Sequence, residues 1–206
     1  MIVCLVTDRR RRSPIDQARE AAAAGIDIFQ IRERDLDARD LGVLTTAVLA
    51  LTRGSAVKVV VNDRVDVALT CGADGVHLRG DSVPAGRIRG LTPDGFLIGS
   101  SVRSAGEAGE AASASDYLIA GTVFPTTSKS GATEFLGLDG LAAVARATTI
   151  PVLAIGGMSI DRAGEVASAG AGGLAAIGLF ADANRPIKEV VRQLRERFNS
   201  RGTGLT

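Results

Sequence analysis

The sequence contains no tryptophan, one tyrosine, one histidine and two cysteines. Aromatic residues make up 3% of the chain, which excludes the stacking platforms that hold single-stranded nucleic acid. His77 alone cannot build a histidine-based metal site. Cys4 and Cys71 lie too far apart for a disulfide framework or a zinc pattern, and such sparse cysteine suits a reducing compartment. An excess of one charge is also missing. Twenty-four basic and 23 acidic side chains leave a net charge of +1, so no broad basic face for nucleic acid is expected. No apolar run approaches the ~20 residues that span a bilayer. Residues 1–6 are mostly apolar, but Asp8 and the arginine run 9–12 follow them, the reverse of a secretory leader. The expectation is a cytoplasmic protein with neither nucleic-acid nor membrane partners. A homodimer is left open.

What is present is the mix of a soluble globular chain: 46% hydrophobic and 23% charged residues over 206 positions, enough for one or two domains. Short β-branched runs alternate with helical periodicity throughout. Eight strands are predicted, at 2–7, 27–31, 57–62, 75–78, 96–100, 117–120, 152–155 and 173–177. They alternate little between polar and apolar, as parallel strands buried on both faces do. Ser13-Pro14 with Asp16 reads as a helix start, and Gly25 as its end. Leu41, Leu44, Val48 and Leu51 read as one helix face, and Ile187, Val191, Leu194 and Phe198 as another. Ser159 with Asp161 opens a further helix that Gly170 ends. Eight strand–helix repeats predict a single-domain α/β protein, a (β/α)₈ TIM barrel over residues 1–198 with a tail at 199–206. The competing architecture, an open doubly wound sheet, would carry a glycine-rich turn after its first strand, where Asp8 and four arginines stand instead.

Barrel active sites lie at the carboxyl ends of the strands. Strand two ends in Phe29-Gln30-Ile31-Arg32-Glu33-Arg34, and alternation puts Gln30, Arg32 and Arg34 on one side. Such a stack in a barrel mouth calls for an anion; the plain alternative is pairing with Glu33, Asp35 or Asp63. Strand three ends in Asn62-Asp63 and strand four in His77-Leu78-Arg79-Gly80-Asp81-Ser82. Two carboxylates, Asp63 and Asp81, on neighbouring strand ends suit Mg²⁺, although Asp63 could equally cap the next helix. His77 reads as a hydrogen-bonded barrel residue. The loop after strand six offers Thr122, Thr126, Ser128 and Lys129, hydroxyls and a point charge for phosphate oxygens. Gly156-Gly157 and Ile177-Gly178 end strands seven and eight, where backbone N–H groups and the following helices can meet an anion. The arginine run 9–12 reads as solvated surface. Two anion sites result, a backbone cradle for a monoester and a charged pocket for a diphosphate. Gln30, Asn62 and Ser101 lie between them, able to hydrogen-bond a heterocycle.

Together these segments resemble the thiamine phosphate synthase / TenI-type thiazole tautomerase superfamily. The likeness is carried by Leu5-Val6-Thr7-Asp8, Gln30-Ile31-Arg32-Glu33, Val61-Asn62-Asp63-Arg64, Ala73-Asp74-Gly75-Val76-His77-Leu78, Gly121-Thr122-Val123-Phe124-Pro125-Thr126 and the stretch from Pro151 to Gly157. The resemblance implies a barrel enzyme that joins 4-amino-2-methyl-5-hydroxymethylpyrimidine diphosphate to thiazole phosphate and releases pyrophosphate. It implies that Gln30 meets the pyrimidine and that Arg32, Asn62 and Lys129 hold pyrophosphate, with Mg²⁺ bridging to aspartates. Thr126, Ser128, Gly157, Ile177 and Gly178 fall on the thiazole phosphate side. The chain departs from the synthase pattern at Arg79-Gly80-Asp81-Ser82, where Ser82 stands at the usual aspartate and Asp81 is one residue early. Arg34 and Ser130 stand where synthases usually have lysine. The tautomerase branch is the alternative, but Thr122 stands at its proposed acid/base histidine. A non-catalytic thiazole-phosphate sensor is the third reading.

Overall fold

A computed structural model describes residues 1–126 and 134–200. Eight strands follow one another as β1 (Ile2–Val6), β2 (Ile28–Ile31), β3 (Lys58–Asn62), β4 (Gly75–Leu78), β5 (Leu97–Val102), β6 (Tyr117–Gly121), β7 (Val152–Ile155) and β8 (Gly173–Ala176). All neighbours pair in parallel, and β8 returns to β1 with Leu5 opposite Ala176, closing a barrel. Eight helices alternate with the strands: α1 (Pro14–Ala24), α2 (Ala38–Thr52), α3 (Val65–Cys71), α4 (Ala85–Arg89), α5 (Ala105–Ala112), α6 (Gly137–Arg146), α7 (Arg162–Ser168) and α8 (Ile187–Asn199). The (β/α)₈ expectation is met, each strand lying within two residues of its predicted place. No helix among the described residues is long and apolar enough to cross a membrane.

Helix starts follow the sequence signals. Ser13 Oγ accepts from the Asp16 N–H ahead of Pro14, and Gly25 ends α1 in the left-handed conformation. Ser159 Oγ accepts from the Arg162 N–H at 3.3 Å, whereas Asp161 makes no capping bond. The buried face of α2 differs from the expected one. Leu41, Thr45, Val48 and Thr52 face inward, with Leu44 and Leu51 at the margin. The threonines can be buried because each hydroxyl bonds the carbonyl one turn back, Thr45 to Leu41 at 2.7 Å and Thr52 to Val48 at 3.0 Å.

Strand parity divides the core into two. Val3, Leu5, Phe29, Ile31, Val59, Val61 and Val76 point outward, into the layer between sheet and helices. Cys4, Val6, Ile28, Val60, Tyr117, Ile119, Leu153 and Ala175 fill the barrel interior. The same inward parity continues upward to Gln30, Asn62, His77 and Ser101. The amino-terminal rim is tied by a repeated device. Asp27, Asp74 and Asp116 each precede a strand, and each accepts the N–H of a residue in the strand before: Val3 at 2.7 Å, Val59 at 2.9 Å and Ile98 at 2.7 Å.

One inward layer is polar, with His77 and Tyr117 buried. His77 Nδ1 lies 3.3 Å from the Tyr117 hydroxyl and Nε2 lies 2.9 Å from Ser101 Oγ. Burial, and then the Arg32 charge, push the imidazole down from 6.5 to about 3. Gly99 makes room for this pair: a Cβ there would stand 2.2 Å from Tyr117 Cζ and 2.6 Å from His77 Nδ1. Gly99→Ala is therefore expected to cost about 1–3 kcal/mol in urea unfolding, as overpacked cores do; an unchanged midpoint would show that the pair can shift. Because His77 is the only histidine, its Hε1 and Hδ2 protons give one unambiguous pair of imidazole NMR signals. They are expected not to titrate between pH 5 and 8. The unfolded chain protonates near 6.5 and the folded one near 3, so this group's contribution is complete above 6.5 and is lost as pH falls toward 3.

Candidate active site

The carboxyl ends of the strands surround a cavity of about 620 Å³. From β2, Gln30, Arg32 and Arg34 line it, while Glu33 turns away as alternation predicts. Glu33 instead accepts from Thr7 Oγ1 at 2.6 Å and from the Arg9 N–H at 3.1 Å, which ties the β1 and β2 loops together. Asp35 is held by Arg9 and Arg10 at 2.8 and 2.9 Å. The plain alternative for Arg32 and Arg34 thus fails: neither has a salt bridge among the described residues, the nearby carboxylates being engaged elsewhere. Burial, then the Arg34 charge, lower the Arg32 guanidinium from its ordinary value, and Asp8 and Glu33 only partly offset this. An anion in the cavity would relieve both effects.

Gln30 is 2% exposed. Its Nε2 donates to Asn62 Oδ1 at 3.1 Å, and its buried Oε1 has no partner. A buried amide oxygen left unbonded costs on the order of 1–3 kcal/mol, and this amide lines the cavity beside Asn62. Ser101 and Thr122 line the cavity nearby.

The opposite wall is backbone. Gly156 and Gly157 have φ of +99° and +64°, and a Cβ at Gly157 would stand 2.5 Å from the Pro125 carbonyl oxygen. Only glycine suits both the dihedral and the approach. Arg162 takes the Gly157 carbonyl oxygen and rests over the Phe124 ring at 4.3 Å. The Gly157 N–H donates to no carbonyl among the described residues. Ile177 and Gly178 adjoin, and a single turn of 3₁₀ helix (Gly178–Phe180) begins there. After β7 the arrangement differs from expectation, because α7 starts five residues past Gly157 with its first N–H already bonded to Ser159. Thr126 also lines the cavity. Ser128 and Lys129 lie outside the described residues, as does the tail beyond residue 200.

The carboxylate pair is arranged unexpectedly. Asp63, at φ +63°, does not cap α3; its Oδ1 accepts from Ser82 Oγ. Arg79 reaches both carboxylates, Asp81 at 2.5 Å and Asp63 at 3.6 Å. Asp81 and Arg79 line the cavity, whereas Asp63 does not. No cluster of three or more His, Cys, Asp or Glu side chains among the described residues could hold a metal.

Three cavity arginines escaped the sequence reading: Arg11, Arg79 and Arg103. The run 9–12 is not simply solvated. Arg9 and Arg10 hold Asp35, and buried Arg12 pairs with Glu20. Arg11 has no ion pair among the described residues, and its guanidinium comes within 3.5 Å of where a Cβ on Gly178 would stand. The available signal was position: the run follows β1 directly, at the catalytic end of a barrel. Altogether five arginines face the cavity against Asp81 and Glu107.

The family model for thiamine monophosphate synthase matches residues 3–180. A thiamine-phosphate synthase of Methanoculleus marisnigri is 39% identical over 198 residues, covering 94% of this chain and 93% of that protein. One of Roseiflexus castenholzii is 41% identical over 189 residues, covering 90% and 83% respectively. Among solved structures, thiamine phosphate pyrophosphorylase of Pyrococcus furiosus superposes with a TM-score of 0.85 at 33% identity, covering 98% of this chain and 96% of that one. A 3-hexulose-6-phosphate synthase, at 19% identity and a TM-score of 0.71, shares the fold. A match running from residue 3 to 180, and relatives of about 40% identity over nine-tenths of its length, show that this chain belongs to the thiamine monophosphate synthase family.

Proposed function

We propose that this chain forms thiamine phosphate from 4-amino-2-methyl-5-hydroxymethylpyrimidine diphosphate and thiazole phosphate. The bond from the pyrimidine methylene carbon to the diphosphate oxygen breaks, the thiazole nitrogen bonds that carbon, and pyrophosphate leaves. One observation carries this reading: the Gln30 amide, the unpaired arginines Arg32 and Arg34, and the backbone of Gly156, Gly157 and Gly178 line one cavity.

Each residue takes a role, those of Ser128 and Lys129 resting on the family resemblance alone. Gln30 Oε1 accepts from the pyrimidine amino group, and Asn62 fixes the amide. Arg32, Arg34 and Lys129 neutralise the leaving pyrophosphate as positive charge develops on the pyrimidine. Asn62 and Ser101 bound the ring space. Thr122, Thr126 and Ser128, with the backbone of Gly156, Gly157, Ile177 and Gly178, hold the thiazole phosphate. Arg11 adds a charge beside Gly178. The buried, neutral imidazole of His77 orients Ser101 and carries no proton in the reaction.

Magnesium belongs to this reading through the oxygen donors. Asp63 and Asp81, with the Ser82 hydroxyl beside them, are hard ligands of the kind Mg²⁺ takes. Both carboxylates are now held by one guanidinium, that of Arg79, which an ion there would have to displace. When bound, the ion would screen charge on the diphosphate oxygens.

The test supplies both substrates with Mg²⁺ and follows products by NMR. Thiamine phosphate is the expected product. Isomerisation of a carboxythiazole phosphate alone would point to the tautomerase reaction, and ligand binding without turnover to a sensor; either overturns the proposal. Gln30→Ala is expected to lower kcat/KM for the pyrimidine diphosphate by roughly 10–100-fold, the range for a buried polar partner lost. Arg11→Ala is expected to raise KM for thiazole phosphate by about tenfold, with little effect on the other substrate. Equal losses for both substrates in either variant would reject the two-wall assignment.

A further inference from the structure

Arg79 stands at the junction of the two carboxylates that the metal would need. Its backbone N–H donates to Ser82 Oγ at 2.8 Å, Ser82 Oγ donates to Asp63, and the guanidinium returns to Asp63 while holding Asp81 more closely. These contacts form a closed ring around the turn after β4. Asp63 joins it from a left-handed backbone conformation, which aspartate tolerates better than most residues. The guanidinium also lines the cavity, beside the wall assigned to the diphosphate.

A guanidinium and a divalent ion cannot occupy the same carboxylate oxygens, and their like charges repel at such range. A diphosphate offers the guanidinium more oxygens and more charge than the carboxylates do, in a geometry suited to paired N–H donors. We propose that Arg79 is an internal cation that competes with divalent metal for Asp63 and Asp81, and that an arriving diphosphate draws it into the cavity and frees both carboxylates. Metal and diphosphate binding are then coupled, each strengthening the other. The second half rests on the diphosphate reading above; the competition itself does not.

The test measures Mn²⁺ alone, by the EPR signal of the free ion, and inorganic pyrophosphate alone, by calorimetry in metal-free buffer. The proteins are the unaltered chain, Arg79→Gln, and Arg79→Gln combined with Asp63→Asn. Ion pairs this exposed are weak, so Arg79→Gln is expected to bind Mn²⁺ tighter by on the order of tenfold. It is expected to bind pyrophosphate several-fold more weakly, and adding Asp63→Asn is expected to abolish the Mn²⁺ gain. Arg79→Lys, which keeps the charge but not the planar fork, is expected to fall between, and serves should the glutamine variant unfold. Mn²⁺ affinity that stays the same or falls on removing the guanidinium overturns the competition. Unchanged pyrophosphate affinity overturns the coupling. If the unaltered chain binds no pyrophosphate either in metal-free buffer or with Mg²⁺ added, the function reading fails, while the Mn²⁺ comparison still decides whether Arg79 competes.

Discussion

Ring closure of the sheet is the constraint on which the site depends. Once β8 pairs with β1, every strand has an inside and an outside, and side chains must alternate between them. Gln30, Asn62, His77 and Ser101 come from four strands yet arrive in one cavity because each holds an inward position near the top of its strand. Below them the inward positions are mostly apolar and buried. The amide oxygen of Gln30 is buried at the foot of that cavity and has no partner among the described residues.

The electrostatics follow from how the acids are deployed. Glu33 and Asp35 sit close to the β2 arginines in sequence, but parity and loop geometry give them to Thr7 and to the arginines of the first loop. Asp63 and Asp81 go to Arg79. The cavity therefore keeps an excess of positive charge in a chain whose overall charge is +1. Partly desolvated cations without carboxylate partners are costly in a free protein, and anionic substrates supply what is missing. The backbone cradle across the cavity contributes N–H groups without adding to that charge, which suits a second, less charged anion.

Much of this was legible in the sequence because it is local. Strand positions followed from β-branched runs, and the split between Arg32 and Glu33 needed only the two-residue repeat of a strand. Gly156-Gly157 stood out as paired glycines at a strand end, and a Cβ at either would collide with the β6 loop. What escaped depends on partners far along the chain or on loop directions that have no period. The inward threonines of α2 were overlooked because apolar spacing misses hydroxyls that bond their own helix. Arg11 and Arg12 adjoin in sequence, yet one meets the cavity and the other is buried against Glu20. That Arg79 would stand between Asp63 and Asp81 could not be read from residues so separated.

The aspartates at the opposite rim have a consequence for how this molecule can change. Asp27, Asp74 and Asp116 anchor the bottoms of alternate strands, some distance from every group that meets a ligand. Integrity of the scaffold and choice of substrate are thereby assigned to different ends of the same strands. Loops at the mouth can be lengthened, recharged or exchanged while the anchors hold the staves in register, so new chemistries can be tried without first solving the folding problem again.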